Sequence, residues 1–388
     1  MKKLFVVSVT VIILAGCSAA GKRSNFEKPI SKVDVMQEIA KTGNLRPVNF
    51  ANKNLSDLDL NNSNFRGGNL KNTYFRYSKL KDANFQNADL SGANLSDTKL
   101  EGALLAGANL RGANLEDADL RGAVLDGADL TKANLTNARL DQASMRNINL
   151  AGAVLTDASL VKAYLGDSNL SGIDLRKVNL KGADLFGTIL RDVNFEGTNL
   201  RSVDLSHTDL SGANLVRANL SYANLQHALL FGADFQHAKM DKSDLRGANA
   251  YRTSFVSAEM KGAQFRGANL TEANFSNADL REANMREVTA KHASFIWADL
   301  SKATMRKSDF SSCNFSNATL VNVNIKKSKL TFAKFISSNF SGSDMREVDF
   351  AGADVSGANL KGTNMKGAKN MHRIIGLERA INLDESLL

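Results

Sequence analysis

From Leu45 to Met365 nearly every fifth residue is large and apolar, and no insertion breaks the count. In residues 110–130, LRGANLEDADLRGAVLDGADL, leucines fall at 110, 115, 120, 125 and 130. Neither regular backbone has a period of five. Around an α-helix successive leucines would rotate by about 140° and spread over every face. Along a continuous strand, residues five apart point to opposite sides. About 65 such units demand a repeat architecture before any other fold is considered.

Two places before each large residue sits a small one, as in Ala113, Ala118, Ala123 and Ala128, with Ser, Thr, Val or Gly as substitutes. Residues two apart share one face of an extended segment, so each small–x–large pair points inward together. The polar residue between them and the next two face water. Glycine fills many of the outer slots, including Gly112, Gly122 and Gly127, where a bend requires unusual dihedrals. Each unit is then one short strand and one bend, and the chain is an all-β solenoid.

A second period sets the size of the coil. Phe75, Phe195, Phe235, Phe255, Phe275, Phe295, Phe315 and Phe335 are separated by multiples of twenty, and Met285, Met305, Met345 and Met365 form another such row. Four units make one square turn, and like residues stack on like residues. With coils ~4.8 Å apart, about 16 coils give a rod of ~75–80 Å.

ADLSGANLSD (residues 88–97) and ANLTEANFSN (268–277) match the motif A-(D/N)-L-x-x, and the chain resembles the pentapeptide-repeat family over more than four fifths of its length. The resemblance implies a right-handed quadrilateral β-helix. The best-known members are acidic rods that imitate DNA and protect gyrase from quinolones. This chain carries a net charge of +9, or +7 once Lys2 and Lys3 leave with a signal peptide. Its charge has the wrong sign for that role, and its N-terminus directs it to the wrong compartment.

Residues 1–16 read as a lipoprotein signal peptide: two lysines, about a dozen apolar residues, then small ones. The stretch is short for spanning a bilayer. LAGC (14–17) resembles the bacterial lipobox, which makes Cys17 the lipidation site and the membrane anchor. Ser18 after it favours the outer membrane in a Gram-negative cell. Residues 17–28 form a polar tether with a reach of ~20 Å.

Residues 29–43 read as an N-terminal capping helix. Ser31 is the N-cap with Asp34 three residues on, Ile30 and Val35 form a staple, and Gly43 ends the helix. Val35, Met36, Ile39 and Ala40 are expected to lie over the first coil. Residues 44–368 are the repeat solenoid and 369–388 a C-terminal helical cap, through which a homodimer can form. Only two prolines occur, as a hydrogen-bonded ladder requires.

Nothing points to catalysis. The chain holds no nucleophile elbow, phosphate loop or zinc-protease signature. Its second cysteine, Cys313, occupies a small inward slot and reads as an alanine substitute. His207 and His227 share an outer slot one coil apart, but no third metal ligand accompanies them. They read as surface filler, and no cofactor or metal is expected.

The outward slots carry more. Arg246, Arg266, Arg286, Arg306, Lys326, Arg346 and Lys366 recur every twenty residues as a basic row, widened by Lys307 and Lys327. Asp244, Glu287, Asp344 and Glu347 offset it in part, and an adjoining face adds Lys261, Arg281, Lys302 and Lys361. Like charges ~5 Å apart repel by ~0.8 kcal/mol per pair even in water, so the row is either a solvated face or a site for an anionic partner. Nucleic acid is a poor candidate, because the row lacks regular stacking aromatics. Exposed apolar residues form a second candidate, for protein contact: Phe231 and Tyr251 one coil apart, Ile296 and Trp297 elsewhere, with Phe186 and Phe332 single.

The expected function is a non-catalytic envelope lipoprotein, a binding or scaffolding rod for an anionic envelope component or protein. A purely structural spacer is the alternative, and a gyrase-protecting or nucleic-acid-directed protein ranks last. Metabolic labelling with palmitate should mark the wild-type protein and fail to mark Cys17→Ser.

Overall fold

The structure, a computed structural model, describes residues 28–42 and 47–383. The signal peptide, Cys17, Ser18, most of the tether, Gly43 and the last five residues lie outside the described residues.

One unit shows how the repeat closes. In Leu90–Asn94 the N–H of Leu90 donates to Asn109 O (2.8 Å), that of Gly92 to Arg111 O (2.9 Å) and that of Asn94 to Thr73 O (2.9 Å). These three bonds tie the unit to the coils on either side. The N–H of Ala93 closes the turn on Leu90 O (2.9 Å), and that of Ser91 donates to Asp89 Oδ1 (3.0 Å). Every backbone donor is used. The Asp or Asn between the two inward residues thus serves the backbone: its carboxylate or amide oxygen takes the one N–H that neither ladder nor turn can satisfy. The same bond recurs from Ser56 to Asn54 (3.1 Å) and from Ser301 to Asp299 (2.9 Å).

The second turn residue holds φ near +60° from Asn52 to Gly367, with Lys177 the exception. Positive φ at this position alone matches a type II turn and turns the chain through one corner. Parallel bridges then link residues twenty apart, beginning with Asn49 to Asn69 and Asn54 to Tyr74. Four units per coil and four flat walls follow.

The interior is one buried column. Stacked phenylalanines run from Phe235 through Phe255, Phe275, Phe295 and Phe315 to Phe335, with ring centroids 4.6–5.2 Å apart. A shorter group near the N-terminal end stacks Phe65 on Phe85 at 4.9 Å with Phe75 edge-on to both. Where the small slot holds a polar residue, it commonly donates to a carbonyl inside the column, as Thr73 does to Phe50 O (2.7 Å). Cys313 is one of these, its Sγ 2.7 Å from Ala290 O, and burial pushes its thiol pKa far up. It is chemically quiet.

Helix α1 spans Lys32–Thr42. Asp34 N–H donates to Ser31 Oγ (3.1 Å) and the Ser31 hydroxyl to Asp34 Oδ2 (2.7 Å), a reciprocal cap. Val35 is fully buried and Ile39 packs partly against the column. Met36 is 40 % exposed but its sulfur accepts from the Ser63 hydroxyl (3.6 Å), while Ala40 is exposed, so the expected four-residue contact loses only Ala40. The coil end offers only a narrow patch to a short helix.

The C-terminal tail departs further from expectation, because it holds no α-helix among its described residues. Two single 3₁₀ turns, Met371–Arg373 and Leu377–Arg379, interrupt a ladder that continues through Asp354 to Ile375 and Asn359 to Ile381. Left-handed residues Asn370, Gly376 and Asn382 fall six apart instead of five. Each unit has gained one residue, and a 3₁₀ turn takes it up while the wall is prolonged.

Phe275→Ala should lower the unfolding free energy by about 3–5 kcal/mol in denaturant titration, because it leaves a cavity between two stacked rings. Lys302→Ala, at an exposed corner, should stay within about 0.5 kcal/mol.

Candidate functional site: a basic corner

Five residues along the chain is the next corner of the coil, and twenty is the same corner one coil on. Arg246, Arg266, Arg286, Arg306, Lys326, Arg346 and Lys366 all take the first turn position of one corner. Their carbonyls accept the N–H groups of His227, Gly247, Gly267, Glu287, Lys307, Lys327 and Glu347 at 3.0–3.2 Å. Backbone hydrogen bonds therefore hold the row in line, coil to coil. Gly247 leaves room for the ring before it: its φ is +67°, and a Cβ there would come 2.6 Å from the His227 side chain as placed.

The side chains are less uniformly free than their spacing suggests. Arg246 grips Asp244 (2.6 Å), Arg266 meets Glu287 (3.0 Å) and Arg346 grips Asp344 (2.7 Å). Glu347 bridges Lys326 (3.2 Å) and Lys327 (3.4 Å). The Arg266 hydrogen bond holds the Glu287 carboxyl below its ordinary pKa, and Lys326 does the same to Glu347. Arg286, Arg306, Lys307 and Lys366 have no carboxylate partner among the described residues. On the neighbouring corner Lys261 pairs with Glu282 (3.4 Å) and Arg281 with Asp279, while Lys302 and Lys361 are unpaired among the described residues. The four acids expected to offset the row, Asp244, Glu287, Asp344 and Glu347, are the ones that pair with it, and those at 287 and 347 reach back twenty or twenty-one residues along the corner.

The corner does not stop at Arg246. His207 and His227 stack above it with centroids 5.1 Å apart, and Phe186 adds a third ring at 5.4 Å from His207. Among the described residues no three His, Cys, Asp or Glu side chains are grouped to hold a metal ion.

Phe231 and Tyr251 lie on the corner beyond the basic one, with rings stacked at 5.6 Å. The Arg252 guanidinium sits 4.9 Å from the Tyr251 ring, and Tyr251 Oη donates to Glu272 (3.1 Å). Ile296 and Trp297 occupy the diagonally opposite corner, Ile296 half-buried and Trp297 62 % exposed at φ +59°. The structure thus brings together the two members of each apolar pair but keeps the pairs on different corners. Left-handed backbone at Trp297 is no mark of function here, because nearly every corner has it. Among the described residues no helix is long and apolar enough to cross a membrane.

A family model for pentapeptide repeats, built of eight copies, matches in overlapping stretches from residue 99 to residue 367. A second, for a pentapeptide repeat region, matches residues 41–115. No curated protein matches significantly. Among solved structures, HetL of the cyanobacterium Nostoc sp., a pentapeptide repeat protein involved in heterocyst differentiation regulation, is 26 % identical over 74 % of this chain and 97 % of its own, with a TM-score of 0.19. QnrB1, a plasmid-mediated fluoroquinolone resistance protein, is 20 % identical over 52 % of this chain and 89 % of its own, with a TM-score of 0.24. A pentapeptide repeat protein of the Arabidopsis thaliana thylakoid lumen is 38 % identical over 27 % of this chain and 67 % of its own, with a TM-score of 0.13.

Glu347→Gln should release Lys326 and Lys327 together. Retention on a cation exchanger at neutral pH should rise by more than the same substitution at Glu378, which lies beyond the repeats.

Proposed function

Because the chain belongs to the pentapeptide-repeat family of right-handed quadrilateral β-helices, we propose that its regular walls serve binding rather than catalysis. In this reading it is an envelope lipoprotein, anchored through acylated Cys17, whose basic corner engages an anionic envelope component or an acidic protein surface. The supporting observation is the row itself, held in line by backbone bonds and leaving Arg286, Arg306 and Lys366 without carboxylates. Closely spaced, unneutralised cations gain most from an anionic partner that releases their counterions. The stacked Phe231–Tyr251 pair, one corner away, offers an apolar contact for the same partner.

A purely structural spacer is the second reading, favoured by the unbroken count of five from Leu45 to Met365. A gyrase-directed role ranks below both, since the net charge of +9 and the signal-like N-terminus oppose it.

Arg286→Gln, Arg306→Gln and Lys366→Gln combined should reduce capture of crosslinked partners from whole cells and flatten its salt dependence. An unchanged set of partners at low salt would overturn the binding reading. Deleting one twenty-residue coil outside the row should leave a binder working and impair a spacer.

A further inference from the structure

Three bridges are missing from otherwise continuous ladders, one on each of three walls. No bridge joins Val154 to Asp174, Asn179 to Asn199 or Asp184 to Asp204, although Ser159 to Asn179 and Tyr164 to Asp184 are intact one coil earlier. The N–H groups of Leu180, Gly182 and Leu185 make no ladder bond to the carbonyls of Asn199, Arg201 and Asp204. Lys177 alone among the repeat corners from Asn52 to Gly367 lacks positive φ at the second turn position.

The sequence explains the opening. Coils on either side fill the small inward slot with Ala153, Ala158 and Ala163, or with Ala213, Ala218 and Ala223. Here the slot holds Ile173, Val178, Val193, Thr198 and Val203. Each missing bridge flanks a stacked pair that carries one of these: Ala153 with Ile173, Val178 with Thr198, Ala183 with Val203. Added methyl groups strain a filled column, although bulk alone does not set where it opens, since Ile173 stacks on Val193 with the Asp174–Asn194 bridge intact. The column is touched by solvent at this point, with Val178 at 6 % and Val203 at 8 % exposure.

The breach is a cavity of about 640 Å³ lined by Arg176, Lys177, Lys181 and Arg201, with Thr198 and Val203 behind them. Arg176 is held by Asp174 (2.7 Å) and also faces Glu196. Lys177, Lys181 and Arg201 have no carboxylate partner among the described residues, and Arg201 lies 4.5 Å from the Tyr222 ring. Thr198 is 6 % exposed, and its hydroxyl has no hydrogen-bond partner. In the same slot Thr188 and Thr208 donate to Leu185 O (2.7 Å) and Leu205 O (2.6 Å). Ser243 is the other inward hydroxyl without a partner among the described residues, but it lies in a closed wall, so the site is marked by the cations at the opening and the free ladder groups of its lips.

We propose that this breach binds a phosphorylated polyol. Lys177, Lys181 and Arg201 take the phosphate, together with the unpaired amides of one lip. Carbonyls of the other lip accept from the ligand's hydroxyl groups, and the cavity lies within the ordinary size range for small ligands. The site stands apart from the basic corner and does not depend on what that corner binds.

Two sources share this chemistry, a soluble phosphate ester and a phospholipid headgroup. The test uses the Cys17→Ser chain, which carries no acyl groups, with glycerol 3-phosphate in calorimetry and vesicles of phosphatidylcholine with or without phosphatidylglycerol. Glycerol 3-phosphate should bind saturably, and Lys177→Gln/Lys181→Gln/Arg201→Gln should weaken it at least tenfold. A second variant, Val178→Ala/Thr198→Ala/Val203→Ala, touches no cation and relieves the overfilled column. It should lose binding and gain hydrogen-exchange protection at Leu180, Gly182 and Leu185. Arg286→Gln/Arg306→Gln should bind as the parent does. No saturable binding, or binding unaltered in either triple variant, overturns the site. Loss of phosphatidylglycerol-dependent flotation in the cation variant assigns the headgroup as the source, and flotation unchanged beside lost calorimetric binding assigns the soluble ester.

Discussion

The fold rests on the left-handed residue at each corner and on the Asx oxygen that serves the turn before it. A five-residue coil side leaves one N–H, that of the first turn residue, pointing away from both neighbouring coils. In Asp89–Asn94 that donor goes to Asp89 Oδ1, and without it every corner would leave an amide unpaired beside a packed column. At some corners whose slot lacks Asx, a polar side chain one coil earlier takes over, as Asp126 Oδ1 does for Arg146 N–H (2.8 Å) and Asn61 Oδ1 for Lys81 N–H (2.8 Å). A non-glycine residue at positive φ costs roughly 1–2 kcal/mol, which the closed hydrogen-bond count and the buried pairs offset at each step.

This division of labour leaves the turn positions open to almost any side chain. His227, Trp297, Lys302 and Phe332 all take the same left-handed conformation. Surface chemistry can then change along a corner without disturbing the column, and one corner runs from an aromatic–imidazole stack to a row of cations. Because each coil contacts only its neighbours, a corner is read by a partner as a line of side chains at a fixed pitch.

Periodicity made most of the fold legible. The spacing of Phe255, Phe275 and Phe295 already implied the stacking seen at 4.8 and 5.0 Å, because a period of twenty leaves no other neighbour. The basic row was legible for the same reason. The acids that offset it were legible too, but not which cation each takes: Arg266 finds Glu287 and Lys326 finds Glu347 through side-chain rotamers, which spacing does not set. The tail was misread because a single added residue per unit, at Asn370 and Gly376, breaks the count while the ladder continues. Apolar residues beyond the last regular unit look like a helix when their partners lie twenty-one and twenty-two positions back.

The breach near Leu180 shows what a solenoid can tolerate. In a globular core, a run of β-branched residues where alanine fits would be spread over many contacts or would prevent folding. Here the strain stays between two pairs of coils, since nothing beyond the nearest neighbours is asked to move, and the ladder resumes from Leu200 onward with its N–H 2.8 Å from Asn219 O. The signal was present in the sequence as Ile173, Val178, Val193 and Val203, but a reading that counted valine as an acceptable small residue passed over it. Isolated substitutes such as Val288 or Val323 keep both neighbouring bridges, and so does the Ile173–Val193 stack through Asp174 and Asn194, so the opening goes with the cluster of bulky residues and not with any one stack. The size of the inward residue therefore controls a property of the outer surface, and a cavity with its own charge appears without any inserted loop.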